Sequence, residues 1–355
     1  MTNVTKTQWK AFNLNSTLSV SCFDDQEIVY GLEPTQIEGK PGQFSKHPRC
    51  PELQQHLFDS DYLLDFADWY LAKPDRELYR RAFYAWGDPG CGKTSGVEQF
   101  AARTNQPVIK VSCHPYMEEH ELFGKYLKVG GNTVWVDGPV TLAWKRGYLL
   151  LLDEVDRLNP EVTPRLHGVL EGRPLDIPGK DGESIVKRHP LARICATGNT
   201  ANRGDSLGLH AGAQSQSSAF INRFVGCHVK GLSLDKEVDM LAQRYPKLAT
   251  PVPVPGGVIN SFVHAMVSLA HDVRNIHLSK GGELDAEFST RTLTVWGDVL
   301  TNSRRHRSFE QTLSYVLTGM LQEPMHVKQI NDLATDHFGD LWTQQVNSGK
   351  AVKAA

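Results

Sequence analysis

The sequence predicts an α/β fold with a parallel sheet, a phosphate-binding loop and a helical domain after the sheet. Three observations predict this class. A loop of the form G-x-x-x-x-G-K-[ST] occupies residues 87–94. Apolar runs of strand length alternate with helical patterns between residue 82 and about residue 229. From Leu232 onward, apolar residues recur at helical spacing.

The glycine-rich loop has the flanking elements that a phosphate site needs. An apolar strand candidate over residues 82–86 precedes the loop, and a helix candidate starts at Thr94. Glycines let backbone N–H groups turn around phosphate oxygens, and a helix N-terminus adds positive charge. Lys93 is predicted to reach the β- and γ-phosphates and Thr94 to hold Mg²⁺. The alternative is a glycine turn that binds nothing. The residues predicted to contact the nucleotide are Gly87, Asp88, Pro89, Gly90, Cys91, Gly92, Lys93, Thr94 and Ser95.

A second strand candidate ends in two carboxylates. Residues 148–152 form a continuous apolar run, which is typical of a parallel strand buried on both faces. Asp153 and Glu154 follow, where such strands open onto a ligand. Buried carboxylates need a positive partner, and Mg²⁺ supplies one. Asp153 is therefore predicted to hold Mg²⁺, and Glu154 to orient the attacking water. The alternative is a surface acidic pair that caps the helix near Pro160.

The remaining strands bring two more candidate residues. Strands are predicted over residues 107–112, 192–196 and 225–229. Asn199 follows the second of these, so its amide is a candidate for orienting the lytic water, and an Asx turn is the alternative. Arg223 lies between apolar residues, so its guanidinium needs an anionic or hydrogen-bonding partner. Taken alone, this position favours a salt bridge within the chain.

Two hairpins are predicted from turn residues between β-forming segments. The Gly-Gly-Asn run at residues 130–132 predicts the first. Residues 175–178 and 183–186 flank Gly179-Lys180-Asp181-Gly182, which predicts the second.

The regions outside the sheet are predicted from composition and periodicity. Residues 1–51 are polar and rich in Gly, Pro, Ser and Thr, so we expect an extension with little structure of its own. Helices are predicted over residues 53–71 and 160–170. The run at residues 304–307 favours a solvated helix end over a nucleic-acid contact. Three apolar stripes predict a helical core in the C-terminal part: Ile259, Phe262, Val263, Met266, Leu269, Ala270 and Val273, then Leu293, Trp296, Val299 and Leu300, then Leu313, Val316, Leu317, Met320 and Leu321.

Composition narrows the class of protein. The 355 residues are 40% hydrophobic and 22% charged, which is ordinary for a globular protein. The formal net charge of -2 gives no global attraction to nucleic acid or anionic membranes. The six cysteines include no C-x-x-C pair, which favours free thiols in a reducing compartment. No signal peptide or transmembrane run is evident, so we expect a cytoplasmic protein.

The motifs in their order resemble an AAA+ ATPase. The series is the phosphate loop, the acidic strand end, Asn199, Asn222-Arg223-Phe224 and Ser289-Thr290-Arg291. The details resemble the MoxR group and, within it, the CobS-type ATPase subunit of aerobic cobaltochelatase. The resemblance covers about residues 53–340. The closer match is carried by residues 96–107, by residues 196–200 with Gly204, Asp205, Gly208 and Gly212, and by residues 289–292.

The resemblance implies ATP and Mg²⁺ as cofactors and assigns a role to each candidate residue. Asn222 replaces the usual Asp beside the finger arginine. The matches are Lys93 and Thr94 for Walker A, Asp153 and Glu154 for Walker B, Asn199 for sensor 1, Arg223 for the arginine finger, and Arg291 for sensor 2. Glu154, Asn199, Arg223 and Arg291 are thereby implied to act in hydrolysis.

The resemblance also implies an architecture. Relatives combine a five-stranded αβα sheet domain with an α-helical lid. We expect an extension at residues 1–51, the nucleotide-binding domain at 52–231, the lid at 232–346 and a tail at 347–355. The two hairpins match the helix-2 insertion and the hairpin before sensor 1, which in relatives project toward the ring pore or the substrate face. Relatives form hexameric rings, and many work with a von Willebrand factor A partner.

The expected function is a ring-forming ATPase that remodels or activates a protein partner. A narrower version is the motor subunit of a cobalt or magnesium chelatase, which needs a separate large subunit because no metal-ligand cluster is visible in the sequence. A rival is a DNA motor resembling the MCM or McrB types, which the weak global charge disfavours and salt-dependent DNA binding would support. A slowly hydrolysing nucleotide-binding scaffold is a third class, which the intact Glu154 disfavours.

Overall fold

A computed structural model describes residues 9–18, 28–33, 35–36, 44–177, 185–201, 213–254, 257–259, 261–278, 284, 286–343 and 345–346. The chain forms two compact units: Met1–Asp88 with Gly92–Lys230, and Pro89–Cys91 with Gly231–Ala355. The strands of the first unit are β1 (Trp9–Asn13), β2 (Ile28–Leu32), β3 (Thr35–Gln36), β4 (Phe44–Ser45), β5 (Ala82–Trp86), β6 (Val108–Ser112), β7 (Gly124–Val129), β8 (Asn132–Asp137), β9 (Leu149–Asp153), β10 (Leu175–Asp176), β11 (Ile185–Val186), β12 (Arg193–Gly198) and β13 (Phe224–His228). Its helices are α1 (Leu14–Leu18), α2 (Ser60–Tyr70), α3 (Glu77–Arg80), α4 (Lys93–Arg103), α5 (Glu119–Phe123), α6 (Pro139–Arg146), α7 (Thr163–Leu170) and α8 (Ser218–Ile221).

The centre of the first unit is a five-stranded parallel sheet in the order β13-β5-β12-β9-β6. All five predicted core strands are confirmed, with bounds that differ by at most two residues. The apolar run in β9 is at most 1% exposed, as a strand covered on both faces requires. Because the strands are parallel, the residues that follow β5, β9 and β12 meet at one edge of the sheet.

The first predicted hairpin is confirmed. β7 and β8 pair antiparallel through six residue pairs. Gly130 and Gly131 form the turn with φ of 57° and 87°, the left-handed conformation that a two-residue hairpin turn requires. β10 and β11 also pair antiparallel, which confirms the flanks of the second hairpin. Its predicted turn at residues 179–182 lies outside the described residues.

The helix predicted over residues 53–71 is wrong in its first part. α2 begins at Ser60, where the Asp59 carboxylate accepts a hydrogen bond from the Tyr62 N–H at 3.0 Å. Residues 52–59 instead form an extended strap along α4. The Gln99 side chain accepts from the Gln54 N–H at 2.9 Å and donates to the Glu52 carbonyl at 3.0 Å. These bonds hold the strap backbone against α4, so contacts with the distant residue Gln99 override the local helical pattern.

The expectation for residues 1–51 is also corrected. β1 pairs with β2, and β3 pairs with β4, so the described part of this extension contains regular structure. It is tied to the sheet domain, because the Leu32 N–H donates to the Asn105 carbonyl at 3.0 Å and the Val108 N–H to the Arg49 carbonyl at 2.9 Å. The composition indicated little structure because these pairings join residues that are far apart in sequence.

The second unit is mainly helical, as predicted. Its helices are α9 (Leu234–Arg244), α10 (Phe262–His277), α11 (Thr290–Asn302), α12 (Phe309–Val316) and α13 (Pro324–Phe338), and its strands are β14 (Val252–Val254), β15 (Gly257–Ile259), β16 (Arg307–Ser308) and β17 (Gln345–Val346). Trp296 is fully buried in the core against Phe338, with ring centroids 5.9 Å apart. The third stripe was predicted to continue through Met320, but α12 ends at Val316 and Met320 is 84% exposed.

Two further observations concern the whole described chain. None of the described helices is long and apolar enough to span a membrane. Among the described cysteines, none forms a disulfide: Cys50, Cys91, Cys113, Cys195 and Cys227.

A buried carboxylate joins three helices of the second unit. Glu237 on α9 is fully buried. It accepts hydrogen bonds from His271 at 3.0 Å, from Arg274 at 2.8 Å and from Thr290 at 2.5 Å. Burial opposes ionisation, but these hydrogen bonds and the charge of Arg274 outweigh it and lower the pKa of Glu237 to about 2. The ionised carboxylate therefore fixes α9 and α10 to the N-terminus of α11.

Glu237→Gln should lower the free energy of unfolding of the second unit by about 3 kcal/mol at neutral pH. This value follows from the difference between the unfolded pKa of 4.5 and the folded pKa of about 2. A lowered pKa stabilises the fold above the unfolded value of 4.5, and this contribution is lost as the pH falls towards 2. The difference between wild type and variant should therefore shrink in acid. Urea unfolding followed by circular dichroism at neutral pH and at about pH 3 measures it. Asp332→Asn, at an exposed site on α13, is the control.

Candidate functional site

The predicted phosphate loop joins β5 to α4 as the sequence indicated. Gly87, Gly90 and Gly92 have φ of 152°, 76° and 97°, which only glycine adopts without strain. Gly92 is the N-cap of α4, and no side chain caps this helix. The first N–H groups of an uncapped helix suit a phosphate anion.

Lys93 extends over the loop that precedes it. Its buried ammonium donates to the carbonyl oxygens of Gly87 at 2.7 Å and Asp88 at 2.8 Å. An ammonium held at the loop, beside the uncapped helix, matches the charge of a triphosphate. The loop residues therefore fit the nucleotide that the sequence predicts.

The predicted metal ligands Thr94 and Asp153 lie in contact. The Thr94 hydroxyl donates to Oδ1 of Asp153 at 2.7 Å, and the Thr197 hydroxyl donates to the same oxygen at 2.5 Å. Oδ2 pairs with the Lys110 ammonium at 3.1 Å. Burial opposes ionisation of Asp153, but the hydrogen bonds from Thr197, Thr94 and Lys110 and the charge of Lys110 outweigh it and lower its pKa. An ionised carboxylate beside a hydroxyl is the donor set that Mg²⁺ takes in phosphate sites.

Glu154 has an unusual backbone. Its φ of 56° and ψ of 45° are left-handed, a conformation that costs a residue with a Cβ roughly 1–2 kcal/mol. The turn lets the chain leave β9 immediately after Asp153. The Glu154 carboxylate is 43% exposed and pairs with Arg157 at 2.9 Å. Such strain is common at functional sites, and here it falls on the residue predicted to orient water.

Asn199 lies at the tip of β12, next to the start of the phosphate loop. The Gly87 N–H donates to the Gly198 carbonyl at 3.3 Å, which joins the two segments. Asp156, which is 1% exposed, accepts from the N–H groups of Asn199 at 2.8 Å and Thr200 at 2.9 Å. A Cβ on Gly198 would overlap the Tyr84 hydroxyl and approach Asp156, so glycine is required there. Asp156 therefore holds the strand tip in place.

Sequence reasoning missed several of these residues. Asp156 follows the acidic pair by two positions, and this third carboxylate was the available signal. Lys110 is the exposed residue in the middle of the apolar strand β6, which was also a signal. Thr197 carried none, because a threonine in a buried strand is ordinary.

His56 on the strap was also missed. Its ring lies 3.9 Å from where a Cβ on Gly92 would be. Burial, with a smaller contribution from the charge of Arg103, lowers the pKa of His56 to about 4. A neutral imidazole therefore lines the loop at physiological pH.

Arg223 is not brought to the loop of its own chain. Its carbonyl accepts from the Ala82 N–H at 3.2 Å, at the amino end of β5, whereas the phosphate loop follows Trp86. The guanidinium pairs with the Glu171 carboxylate at 2.8 Å and donates to the Ala219 carbonyl. The salt bridge within the chain, left open by the sequence, is therefore present. The part that Arg223 plays in hydrolysis stays a prediction.

Arg291 lies in the second unit, in the first turn of α11, with an exposed side chain. Ser289 caps this helix by accepting from the Thr292 N–H at 3.3 Å. Its neighbour Thr290 donates to the buried Glu237. Arg291 thus projects from a fixed helix start, and its role as sensor 2 stays a prediction.

Comparison with known proteins agrees with this geometry. Residues 86–224 match the AAA domain of the dynein-related subfamily, and residues 252–337 match the CbbQ/NirQ/NorQ C-terminal domain. Protein NorQ of Paracoccus denitrificans (strain Pd 1222) is 30% identical over 257 residues, which span 71% of this chain and 85% of NorQ. Aerobic cobaltochelatase subunit CobS of a Sinorhizobium species is 30% identical over 247 residues, 68% of this chain and 71% of CobS. Protein CbbQ of Hydrogenophilus thermoluteolus is 29% identical over 252 residues, 68% of this chain and 85% of CbbQ.

These matches cover the phosphate loop, the acidic strand end and the helical region together. With the five-stranded parallel sheet, they show that the chain belongs to the MoxR group of AAA+ ATPases, near CobS, and is an ATP hydrolase.

Proposed function

We propose that this ATPase forms a ring, hexameric as in the family it resembles, and couples ATP hydrolysis to the remodelling or activation of a protein partner. We propose a partner with a von Willebrand factor A domain, and a cytoplasmic setting. The observation that carries the proposal is the position of Arg223 at the amino end of β5, while the phosphate loop lies at its carboxyl end.

The nucleotide is proposed to bind at the loop of each subunit. Lys93 contacts the β- and γ-phosphates, and the N-terminus of α4 receives phosphate oxygens. Thr94 and Asp153 hold Mg²⁺, which neutralises charge on the phosphate oxygens when it is bound with ATP. Glu154 and Asn199 orient the attacking water.

Arg223 is proposed to act on the ATP of a neighbouring subunit. The Cα atoms at the two ends of β5 are about 13 Å apart, at about 3.3 Å per residue. This span is longer than an arginine side chain, so Arg223 cannot reach its own loop. In a ring it faces the next subunit, where a guanidinium stabilises charge on the transferring phosphoryl group. Arg291 is proposed to contact the nucleotide as sensor 2.

The β7–β8 hairpin is proposed as a contact for the protein partner. Directly opposed residues of a hairpin share a face. On one face Leu127 lies opposite Val134, and their side chains are 40% and 45% exposed. Val129 and Val136 lie on the same face and are 59% and 43% exposed. Burial of this apolar surface against a partner would contribute favourable free energy to binding.

The similarity to CobS favours a second candidate, the motor subunit of a cobalt or magnesium chelatase complex. In that case the partner is a separate chelatase subunit that holds the macrocycle. Stimulation of ATPase activity by a purified chelatase subunit, with no response to a von Willebrand factor A protein, would favour this candidate. DNA is the least favoured partner because the net charge is -2.

Glu154→Gln should keep ATP binding and lose turnover by roughly 10² or more, because the amide cannot accept a proton from the water. Lys93→Ala should instead lose ATP binding, since the ammonium on the phosphates is gone. Phosphate release and fluorescent-nucleotide binding measure the two effects. Wild-type turnover by Glu154→Gln, or tight ATP binding by Lys93→Ala, would contradict these roles.

A mixture of Arg223→Ala and Glu154→Gln subunits should recover part of the ATPase activity that each lacks alone. Some interfaces then combine an intact Glu154 pocket with an intact Arg223. The recovered activity should rise with protein concentration as rings assemble. Subunit exchange is verified first by labelling. If exchange occurs and the mixture stays inactive, Arg223 does not act between subunits.

Leu127→Ser combined with Val134→Ser should leave basal ATPase activity unchanged and abolish its stimulation by a von Willebrand factor A protein. Lys128→Ser with Thr133→Ser, on the opposite face of the same hairpin, is the matched control. Shortening the loop at residues 128–131 or 178–181 should act like the first variant, and the second of these loops lies outside the described residues. Loss of nucleotide binding in any of these variants would show that the hairpins are part of the pocket.

A further inference from the structure

We propose that Arg173 is a second arginine that acts on the ATP of the neighbouring subunit, together with Arg223, and that Glu171 occupies the phosphoryl position until that ATP arrives. The inference rests on the proposed function, because it requires Arg223 to act between subunits. We call Arg173 and Arg223 the arginine fork.

The fork is already arranged around an anion. One oxygen of the Glu171 carboxylate, Oε1, lies 2.8 Å from Nη2 of Arg223. The other oxygen, Oε2, lies 2.8 Å from Nη2 of Arg173. Both separations are those of charge-assisted hydrogen bonds. Two guanidiniums that share one carboxylate retain one positive charge. A terminal phosphoryl group, with three oxygens and more negative charge, matches the fork better than Glu171 does.

The backbone that places Arg173 is fixed. Glu171 is the C-cap of α7, and Gly172 follows in the left-handed conformation at a φ of 75°. The Gly172 N–H donates to the Val169 carbonyl and the Arg173 N–H to the Gly168 carbonyl, both at 2.9 Å. This helix-ending turn brings Arg173 back beside Glu171. The side chain of Arg173 is 72% exposed, so it can reach another molecule, whereas its Cα is held in place.

A cleft beside the fork offers room for the anion. The open cleft measures about 510 Å³ and is lined by Glu77, Arg80, Arg81, Glu171, Gly172, Arg173 and Pro174. Because Arg223 is paired with Glu171, the groups around the cleft comprise four guanidiniums and two carboxylates: Arg80, Arg81, Arg173 and Arg223, with Glu77 and Glu171. Arg80 and Arg81 directly precede β5, so the cleft lies at the amino end of the sheet, like Arg223. The excess positive charge is therefore on the face that the proposed function turns toward the neighbour.

Only guanidinium groups supply this charge near neutral pH. His167 on α7 lies near the fork, but burial and the charge of Arg223 lower its pKa more than Glu171 raises it. The imidazole is thus neutral. Arginine stays charged at any physiological pH, so the fork is a permanent anion receptor.

The experiment measures ATPase activity against protein concentration. Arg173→Ala should lower kcat at saturating protein by roughly 10², the lower end of the range for loss of one charge-stabilising donor. ATP binding should be unchanged because the phosphate loop is intact. Arg173→Lys keeps a positive charge and should retain more activity than Arg173→Ala. Activity in Arg173→Lys also shows that a variant at this position folds. The matched control is Arg165→Ala on α7, the helix that ends before Arg173. Arg165 is exposed and pairs with Glu119 at 2.8 Å, and the kcat of this variant should equal that of wild type.

Mixing identifies where Arg173 acts. Arg173→Ala should regain activity with Glu154→Gln, which supplies an intact fork, and should regain none with Arg223→Ala, which carries a defective one. Wild-type kcat in Arg173→Ala, beside an inactive Arg223→Ala, would overturn the fork and leave the proposed function standing. Wild-type kcat in Arg223→Ala would instead overturn the proposed function.

The Glu171→Gln variant distinguishes two roles for Glu171. Glu171 either occupies the phosphoryl position until ATP arrives, as a placeholder, or holds Arg223 in position, as a support. A placeholder competes with the neighbour's phosphate, so its neutral variant should reach half-maximal activity at a severalfold lower protein concentration with kcat retained. A support for Arg223 would instead lower kcat in the variant at every protein concentration. That second result would overturn the role proposed for Glu171.

Discussion

The Asp153 carboxylate organises the site in the first unit. It ends β9, accepts hydrogen bonds from Thr94 on α4 and Thr197 on β12, and pairs with Lys110 on β6. Three strands and the helix of the phosphate loop therefore converge on one negative charge. Burial alone would raise the pKa of Asp153, and the donors outweigh it and keep the pKa low. The chain thus keeps ionised the carboxylate that we propose holds Mg²⁺.

Two segments that carry predicted site residues are each held by a buried carboxylate. Asp156 holds the tip that carries Asn199, and Glu237 holds the helix that carries Arg291. In both cases a buried carboxylate with several donors fixes the backbone beside a residue that needs a defined position.

The parts of the molecule that could be predicted are those fixed by local sequence. The five strands are mostly apolar segments of strand length, and the phosphate loop is a contiguous motif, so both could be located from the residues themselves. The helix start at residue 53 was wrong because Gln99, more than forty positions away, binds the strap backbone. Asp156, Lys110 and Glu171 were missed for the same reason, since each acts through contacts between distant segments. Pairing of β1 with β2 likewise depends on a partner that periodicity does not reveal.

The left-handed backbone of Glu154 places a conformational cost on the residue that we propose orients the attacking water. Glycine would relieve this cost of roughly 1–2 kcal/mol and would remove the carboxylate. A search for more stable variants of this protein would therefore select against that carboxylate. If Glu154 acts as proposed, thermal stability and ATPase activity cannot both be optimal at this turn.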